Sequence, residues 1–359
     1  MKILILNEDL GYGGAEKMMA WLANQLSKSS EFDVTYLTFR DPEKNYQNLD
    51  DRVKREHLQL ENKGGSLLSI FISSIKLRKY LKSRDFDIAI AFLIPAQIRL
   101  SLASIGLGVK VVLSQRSDPY LKPKSFLLKT FNFFFEKIFC SADGFVFQTQ
   151  KAKEYYPSIV QNRSVVIPNP IKPLIRTHNR IPGFTKSIVT VSRLDLKQKR
   201  QDLLIDAFKI FLHENPDYIL KLYGSGPDEK KIKEYASRIN QIQFLGVTTN
   251  VVEAIQDDSM FVLTSDFEGI PNALLEAMSI GLPCISTDCS PGGASLLING
   301  SDNGIIVPCG NVYAIAEAMS FYARNVDIAE QHGINATKVN ERFSESKIAN
   351  MWIEYLKRI

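Results

Sequence analysis

Cysteine is scarce in this sequence, with four residues in a chain of 359. The four are scattered, and none belongs to a Cys-x-x-Cys pair. Zinc sites and disulfide frameworks need regularly spaced thiols, so the sequence signals neither. We expect reduced core thiols at Cys140, Cys284, Cys289 and Cys309.

Histidine is equally scarce, and its positions exclude one class of enzyme chemistry. Serine, cysteine and threonine nucleophiles are activated by an adjacent base, most often a histidine. No histidine lies near a marked nucleophile in this sequence, since the four present are His57, His178, His213 and His332.

Long apolar runs are also missing. A membrane-spanning helix needs roughly 18 or more consecutive apolar residues. Phe86–Ile98 is ended by Arg99, and Leu67–Ile75 is broken by serines. Met1–Asn7 is too short for a signal peptide. We therefore expect a buried first strand and a cytoplasmic protein.

The charge is unevenly distributed between the two halves of the chain. Residues 1–180 carry a net charge of +10 and residues 181–359 a net charge of −5, within a total of +5. This asymmetry indicates either different partners for the two halves or merely uneven solvated surface charge.

The sequence does contain an alternation of short β-rich runs and longer helical patterns, which is typical of α/β domains with parallel sheets. A length of 359 residues suggests two domains at about 150 residues each. Prolines between Pro168 and Pro173, followed by Pro182, interrupt the alternation. We predict an N-terminal domain at 1–168, a linker at 169–185, a C-terminal domain at 186–342 and a final helical segment at 343–359.

The pattern predicts specific elements. Predicted strands are Lys2–Asn7, Asp33–Phe39, Asp87–Phe92, Lys110–Ser114, Gly144–Gln148, Ser164–Ile167, Ser187–Val191, Tyr218–Tyr223, Ile242–Leu245, Met260–Thr264, Pro283–Ser286 and Gly304–Val307. Predicted helices are 14–29, 200–214, 227–239, 250–256, 271–280, 311–324, 327–341 and 345–358.

The most informative stretch follows the strand Met260–Thr264. Pro271 suits the start of a helix, and ligands of open α/β sheets bind at the carboxyl ends of the strands. The helix start offers N–H groups and a positive dipole end, which suit a phosphate. Glu268 lies before this helix and Glu276 within it. Two carboxylates at such a place are suited to accept hydrogen bonds from sugar and ribose hydroxyls.

Glu268 and Glu276 are separated by seven residues, and Gly281-Leu-Pro283, Gly292-Gly293 and Gly304–Pro308 follow in order. In this context the sequence resembles the GT4 family of retaining glycosyltransferases, whose signature is E-x7-E. The resemblance covers nearly the whole chain, and its specific motifs lie mostly at 187–310. It implies the GT-B fold, in which two Rossmann-like domains with parallel sheets face each other across a cleft.

The resemblance also implies site residues on the C-terminal domain. Arg193 and Lys199 would bind the diphosphate, although Lys197 stays open because the loop is about one residue longer than the commonest form. Glu276 would hold the ribose and Glu268 the donor sugar. The remaining nucleotide-sugar contacts would come from Gly269, Ile270, Pro271, Asn272, Leu275, Gly224 and Val247.

On the N-terminal side, Gly13 and Gly14 resemble the family's acceptor loop. A dinucleotide-binding fingerprint is rejected, because Glu16 occupies its third glycine position. Many family members carry a histidine near the reaction centre, and this chain has none in the corresponding region. Arg116 and Asp118 are the candidates for contacting the acceptor there.

Two basic, aromatic segments, Leu67–Arg84 and Tyr120–Phe139, suit either an anionic membrane surface or buried helices with lysines reaching solvent. The acidic pair Asp257-Asp258 precedes a strand and should lie at the wrong sheet edge for a site. We expect no metal or other cofactor and no nucleic-acid partner.

The function implied is transfer of a hexose or N-acetylhexosamine from a nucleotide diphospho-sugar, most simply a UDP-sugar, to a glycan or an undecaprenyl-diphosphate-linked acceptor. The resemblance favours bacterial surface-polysaccharide biosynthesis, in a protein that is cytoplasmic or peripheral on the inner membrane face. The alternatives are a nucleotide-sugar epimerase or inverting transferase of the same fold, and a non-catalytic subunit of a glycosyltransferase complex.

Overall fold

The computed structural model describes residues 1–8, 10–11, 14–40, 48–59, 67–116, 118–120, 139–172 and 185–359. The chain divides into two compact units. The N-terminal unit comprises Met1–Pro168 and Ser346–Ile359, and the C-terminal unit comprises Asn169–Glu345. The final helix therefore belongs to the unit that holds the first half of the chain.

The N-terminal unit is built on a seven-stranded parallel sheet of order β3-β2-β1-β4-β5-β6-β7. Its strands are β1 (Lys2–Asn7), β2 (Asp33–Thr38), β3 (Lys54–His57), β4 (Ile88–Ala91), β5 (Lys110–Gln115), β6 (Gly144–Phe147) and β7 (Ser164–Val166). Its described helices in the first half of the chain are α1 (Gly14–Ser27), α2 (Leu67–Lys82), α3 (Ile94–Ser104), α4 (Gln150–Glu154) and α5 (Ser158–Gln161).

The C-terminal unit is built on a six-stranded parallel sheet of order β10-β9-β8-β11-β12-β13. Its strands are β8 (Ser187–Val191), β9 (Ile219–Tyr223), β10 (Ile242–Gly246), β11 (Met260–Leu263), β12 (Cys284–Thr287) and β13 (Ile305–Val307). Its helices are α6 (Gln201–Leu212), α7 (Glu229–Ala236), α8 (Val251–Ile255), α9 (Asn272–Ser279), α10 (Gly293–Leu297), α11 (Val312–Arg324), α12 (Val326–Ala336) and α13 (Val339–Arg342), and α14 (Glu345–Leu356) follows.

Both sheets have helices packed on their two faces, which explains their apolar central strands. In β1, Ile3 and Ile5 face one core while Leu4 and Leu6 face another. In β11 the same alternation places Val262 in one core, and Phe261 and Leu263 in the core on the other face. The prediction of two α/β domains with parallel sheets is confirmed.

Helix α14 packs on the N-terminal unit through Trp352, which is fully buried. Its ring is stacked 5.8 Å from that of Phe92. Tyr355 adds polar contacts, since its hydroxyl accepts from Phe145 N at 2.7 Å and donates to Arg163 O at 2.5 Å. Apolar burial and hydrogen bonds together fix the helix on this unit.

The structure differs from the sequence-based expectation in several elements, and helices α3, α4, α5 and α10 were not predicted. Strand β3, with the sequence Lys-Arg-Glu-His, was not predicted, because its side chains are polar and it lies at the sheet edge. The helix predicted at 327–341 is two helices, α12 and α13, which are separated by a turn at Thr337 and Lys338.

Asp258 lies at the amino edge of the C-terminal sheet, where the sequence placed it. It is fully buried, and it accepts from Ser187 Oγ at 2.5 Å and from Lys221 Nζ at 2.9 Å. Burial raises its pKa above the ordinary value. Asp258 therefore serves the packing of the sheet, whereas Asp257 is exposed.

None of the helices in the described ranges is long and apolar enough to cross a membrane.

Candidate functional site

The candidate site lies at the carboxyl edge of the C-terminal sheet. Strands β8, β9, β11 and β12 are parallel neighbours, so their carboxyl ends meet at this edge. Two loops emerge there: residues 192–200 after β8, which we call the cation loop, and residues 264–271 after β11, which we call the carboxylate loop.

Glu268 is held tightly inside the carboxylate loop. Only 8% of the residue is exposed. Its backbone N–H donates to Ser290 O at 2.7 Å, and its Oε1 accepts from Ser265 Oγ at 2.9 Å. The same Oε1 contacts the ammonium of Lys199. The structure therefore brings together two of the predicted site residues, Glu268 and Lys199.

The contact between Lys199 and Glu268 is partly desolvated, with side-chain exposures of 17% and 9%. A buried ion pair has a large desolvation cost, which only good geometry and further hydrogen bonds offset. Ser265 supplies one such bond. A cation and a carboxylate held at one point can meet two groups of a ligand at once: a phosphate beside the ammonium and a hydroxyl beside the carboxylate.

The two loops are joined by one hydrogen bond between their main chains and by two bonds from side chains to main-chain carbonyls. Asp266 N donates to Gln198 O at 2.9 Å, and Gln198 Nε2 donates to Phe267 O at 3.1 Å. Thr264 Oγ1 donates to Lys199 O at 2.9 Å. These bonds set the distance between the cation loop and the carboxylate loop.

Arg193 differs from Lys199 in its exposure. Its side chain is 63% exposed, and its guanidinium lies 3.5 Å from Asp195 Oδ2. Its carbonyl is fixed by Gln201 Nε2 at 2.8 Å. The alternative cation, Lys197, is also exposed. The structure places Lys199 against Glu268 and leaves the guanidinium of Arg193 at the surface, where a charged ligand can reach it.

Helix α9 begins directly after the carboxylate loop. Pro271 precedes it with φ −74° and ψ 99°, so the helix starts one residue later than predicted. The first N–H groups of a helix have no acceptor within the helix and carry the positive end of its dipole. Gly269, Ile270 and Asn272 are at this end, and Asn272 Oδ1 accepts from Asn169 Nδ2 at 2.7 Å. Leu275 and Glu276 lie further along α9, buried and half-buried respectively.

Glycine allows the backbones at this edge to approach closely. A Cβ on Gly224 would lie 1.9 Å from Ser192 O, and one on Gly293 would lie 1.5 Å from Gly269 O. Gly224 N also donates to Gly246 O at 2.6 Å, which brings the turn after β9 beside the end of β10. Val247 follows with 71% of its surface exposed.

The predicted acceptor-side residues lie in the N-terminal unit. Gly13 falls outside the described residues, and Gly14 is the first residue of α1. Arg116 places its guanidinium 4.4 Å from the ring centroid of Phe92 and 5.7 Å from that of Trp352. Burial lowers the pKa of Arg116 to about 9. Arg116 thus packs on the rings that hold α14.

Asp118, the other acceptor-side candidate, is also buried, and its Oδ1 accepts from Tyr120 N at 2.9 Å. A buried carboxylate that receives a local backbone N–H has the geometry of a turn residue.

Sequence reasoning missed several polar residues that build the site. They are Ser265, Asp266, Gln198 and Arg200, which connect the two loops around Lys199 and Glu268. A signal for Ser265 and Asp266 was present, because both stand in the same loop as Glu268. Arg200 belongs to the basic run that follows β8, but the sequence pattern marked neither its contacts nor those of Gln198.

The described residues contain no group of three or more His, Cys, Asp or Glu side chains that could hold a metal ion. The expectation that the protein needs no metal stays a prediction.

Comparison with known proteins gives the class of this protein. The family described as Glycosyltransferase Family 4 matches residues 12–173, and the family described as Glycosyl transferases group 1 matches residues 185–325. An uncharacterized glycosyltransferase of Haemophilus influenzae is 24% identical over 346 residues, which cover 95% of each chain.

A second relative is an α-1,4-N-acetyl-D-galactosaminyltransferase of Campylobacter jejuni, whose name specifies a GalNAc-GalNAc-diNAcBac-PP-undecaprenol. It is 26% identical over 371 residues, covering 100% of this chain and 99% of the relative. Among solved structures, Anabaena HepE in complex with UDP and glucose matches with a TM-score of 0.80 and 18% identity over 100% of both chains.

This chain is a glycosyltransferase of the GT-B fold, with a family 4 domain followed by a group 1 domain. The predicted family, fold and enzyme class are confirmed.

Proposed function

We propose that this glycosyltransferase moves a hexose or N-acetylhexosamine from a UDP-sugar to a glycan or lipid-linked acceptor, with retention of configuration, in the assembly of a bacterial surface glycan. The names of the relatives support the acceptor class, because the Campylobacter enzyme is named for an undecaprenol-linked glycan. The UDP complex of HepE supports the donor class. Retention follows from the E-x7-E resemblance.

In this proposal the carboxyl edge of the C-terminal unit binds the donor. Lys199 and Arg193 neutralise the diphosphate, and Glu268 accepts hydrogen bonds from the donor sugar. Glu276 accepts from the ribose hydroxyls. The first amides of α9 and the glycine turn at Gly224 contact the remaining polar groups, while the backbone at Val247 borders the base.

The reaction breaks the bond between the sugar C1 and the diphosphate oxygen and forms a bond from C1 to the acceptor oxygen on the same face, and the proton of the acceptor hydroxyl passes to the released diphosphate. Negative charge grows on the leaving diphosphate during this step. Cations fixed before the reaction stabilise that charge without reorganising. In enzymes, each such group contributes about 3 kcal/mol. The contact between Lys199 and Glu268 is the observation that carries the proposal, because it places a cation that can bind the diphosphate beside a carboxylate that can bind the sugar.

A donor screen by thermal unfolding tests the binding part. A ligand that binds only the folded state stabilises it by about 2.7 kcal/mol at one hundred times its dissociation constant. We expect UDP and one or a few UDP-sugars to raise the unfolding temperature, and uridine to have little effect because it lacks the diphosphate. Equal shifts with UDP and uridine would remove the diphosphate-binding role from this edge.

Turnover is then measured with the stabilising donor, a glycan acceptor and the purified chain alone. The anomeric configuration of the product, read by NMR, distinguishes retention from inversion. Activity that is unchanged by a chelator supports our proposal that the enzyme needs no metal. A chain that binds donor and never transfers it without a second protein would instead be the binding subunit of a complex.

We also propose that the N-terminal unit works at the inner face of a membrane, where a lipid-linked acceptor would be presented. One face of α2 supports this: Phe71, Ile72 and Ile75 are exposed, and Lys79 and Lys82 follow on the same side. Apolar side chains beside lysines suit an anionic lipid surface. Co-sedimentation with anionic and neutral vesicles tests it, with Phe71→Ser as the variant expected to bind anionic vesicles less.

A further inference from the structure

Arg200 adopts a backbone conformation that an arginine rarely takes. Its φ is 51° and its ψ 46°, in the left-handed region, and it is the one non-glycine residue with positive φ in the described ranges. A side chain at Cβ makes this region unfavourable, and glycine occupies it without that cost. Backbone strain of this kind persists where the surrounding structure enforces it, commonly at functional sites.

The side chain of Arg200 makes contacts that a glycine could not. Its Nε and Nη2 donate to the carboxylate of Asp202 at 3.1 and 3.0 Å, and its Nη1 donates to Asp266 Oδ2 at 3.0 Å. Its carbonyl accepts from Thr264 Oγ1 at 3.1 Å. Arg200 therefore binds the carboxylate loop through both its side chain and its main chain.

The position of Arg200 connects the two reactive side chains. Arg200 follows Lys199 directly, and Asp266 stands two residues before Glu268. The next residue, Gln201, holds Ser192 Oγ at 3.0 Å and Arg193 O at 2.8 Å. The start of α6 thus fixes the cation loop on one side and the carboxylate loop on the other.

Arg200 is not itself arranged as a diphosphate ligand. Its guanidinium is shared by two carboxylates, so the group formed by Arg200, Asp202 and Asp266 has a net charge of −1. Such a group does not attract an anion. The start of helix α6 does not require an arginine either, because a glycine would adopt this backbone conformation without strain. The contact to Asp266 is what an arginine adds.

We propose that Arg200 is a positioning residue, which holds the Lys199–Glu268 pair in its reactive arrangement through Asp266. The proposal rests on the proposed function of this pair. Displacement of a reacting group by about 1 Å can cost about a hundredfold in rate. Loss of the link should therefore lower kcat more than it raises the KM for the donor, because the phosphate-binding cations stay present.

The first test measures hydrogen exchange in the ligand-free protein and needs no substrate. Arg200→Gly removes the link and suits the local backbone. We expect amides 264–268 to exchange about tenfold faster or more, as local opening becomes easier, and the global unfolding temperature to change little. Unchanged exchange in this segment would overturn the proposal whatever the enzyme transfers.

The second test is a double-mutant cycle on kcat with Arg200→Gly, Asp266→Asn and the double variant. Residues that act through one contact give non-additive effects. We expect each single variant to lose about 10- to 100-fold in kcat, and the double variant to lose no more than either. Arg200→Lys should rescue only partly, since an ammonium lacks the planar fork that bridges two carboxylates.

The control is Arg52→Gly in the N-terminal unit. Arg52 binds Asp50 in a similar local bidentate pair, with Nε at 2.7 Å and Nη2 at 2.8 Å from its two oxygens. This variant should leave kcat unchanged. If wild type transfers sugar and Arg200→Gly matches it in kcat, the positioning role is wrong while the proposed function stands. If Glu268→Gln also matches wild type, the proposed function itself is wrong.

Discussion

The two units have the same kind of parallel sheet but use the polar groups at their carboxyl edges differently. In the C-terminal unit, Lys199 contacts Glu268 and the side chain of Arg193 is 63% exposed. In the N-terminal unit, Arg99 contacts Glu8 and donates to Ser73 Oγ at 2.8 Å, and both partners of the ion pair are nearly buried.

Arg116 adds to this contrast, because its guanidinium stacks on the aromatic rings that hold α14. Arg99 and Arg116 of the N-terminal unit thus take part in packing, whereas the side chain of Arg193 in the C-terminal unit is largely exposed. Under our proposal, exposure and partners distinguish an arginine that binds the donor from one that stabilises the fold.

The largest expected effect concerns the N-terminal side of this comparison. Trp352→Ala should destabilise that unit by about 3–5 kcal/mol, because it removes a fully buried ring and leaves a cavity. Urea unfolding measures the loss, and binding of UDP to the C-terminal unit should survive at low denaturant.

Trp352→Phe is the matched control. It keeps a ring near Phe92 and removes an indole N–H that is buried without a partner among the described residues. It should cost less than about 1.5 kcal/mol. A Trp352→Ala variant as stable as wild type would show that α14 is not structural.

Glu268→Gln should have the next largest effect, on activity. The amide keeps the size of the side chain and loses the charge that Lys199 contacts. We expect kcat to fall by about 10²- to 10³-fold, the range found when a preorganised polar group is removed from an active site. Steady-state release of UDP measures this, with circular dichroism to verify folding. Near-normal kcat in a folded variant would remove Glu268 from the site.

Arg193→Ala sharpens the choice between the exposed cations. Since its side chain is largely exposed, stability should change by no more than about 0.5 kcal/mol. Donor binding should weaken by about tenfold, which corresponds to one charge-assisted hydrogen bond. Titration calorimetry with UDP gives the dissociation constant, and Lys197→Ala serves as the matched control. A larger effect from Lys197→Ala would assign a diphosphate contact to Lys197, which is the alternative to Lys199.

The smallest effect is a pH dependence at the opposite edge of the C-terminal sheet. Burial raises the pKa of Asp258, so the folded state holds this proton more tightly than the unfolded state does. Its contribution to stability is greatest below the unfolded pKa of about 3.9 and is lost as pH rises through the higher folded pKa.

Asp258→Asn removes this titration. Relative to wild type, the variant should therefore gain stability between pH 4 and neutral pH, as urea unfolding at several pH values would show. A difference in stability that stays constant over this interval would mean that the pKa of Asp258 is the same in both states.

Much of the fold could be predicted because buried parallel strands have a clear apolar signature. The elements that were not predicted correctly lack this apolar signature. Strand β3 consists of polar residues at a sheet edge, so its pairing depends on β2 and not on its own sequence. The break between α12 and α13 carries no proline or glycine to mark it.

The motif residues of the candidate site could be predicted from the sequence, but the contacts that position them could not. Glu268, Glu276, Arg193 and Lys199 follow from spacing and resemblance, and Glu268 and Lys199 do lie in contact. Arg200 could not be predicted, since its conformation depends on Asp266, which lies 66 residues away. The stacking of Arg116 on Trp352 likewise depends on a helix from the other end of the chain.

A crystal structure of the chain with a bound UDP-sugar tests the central claim most directly. The account predicts that Lys199 Nζ donates to a phosphate oxygen and that Glu268 accepts a hydrogen bond from a donor-sugar hydroxyl, each at about 2.7–3.0 Å. A UDP-sugar bound with its diphosphate away from Lys199 and Arg193, and with no hydroxyl of its sugar on Glu268, would contradict it.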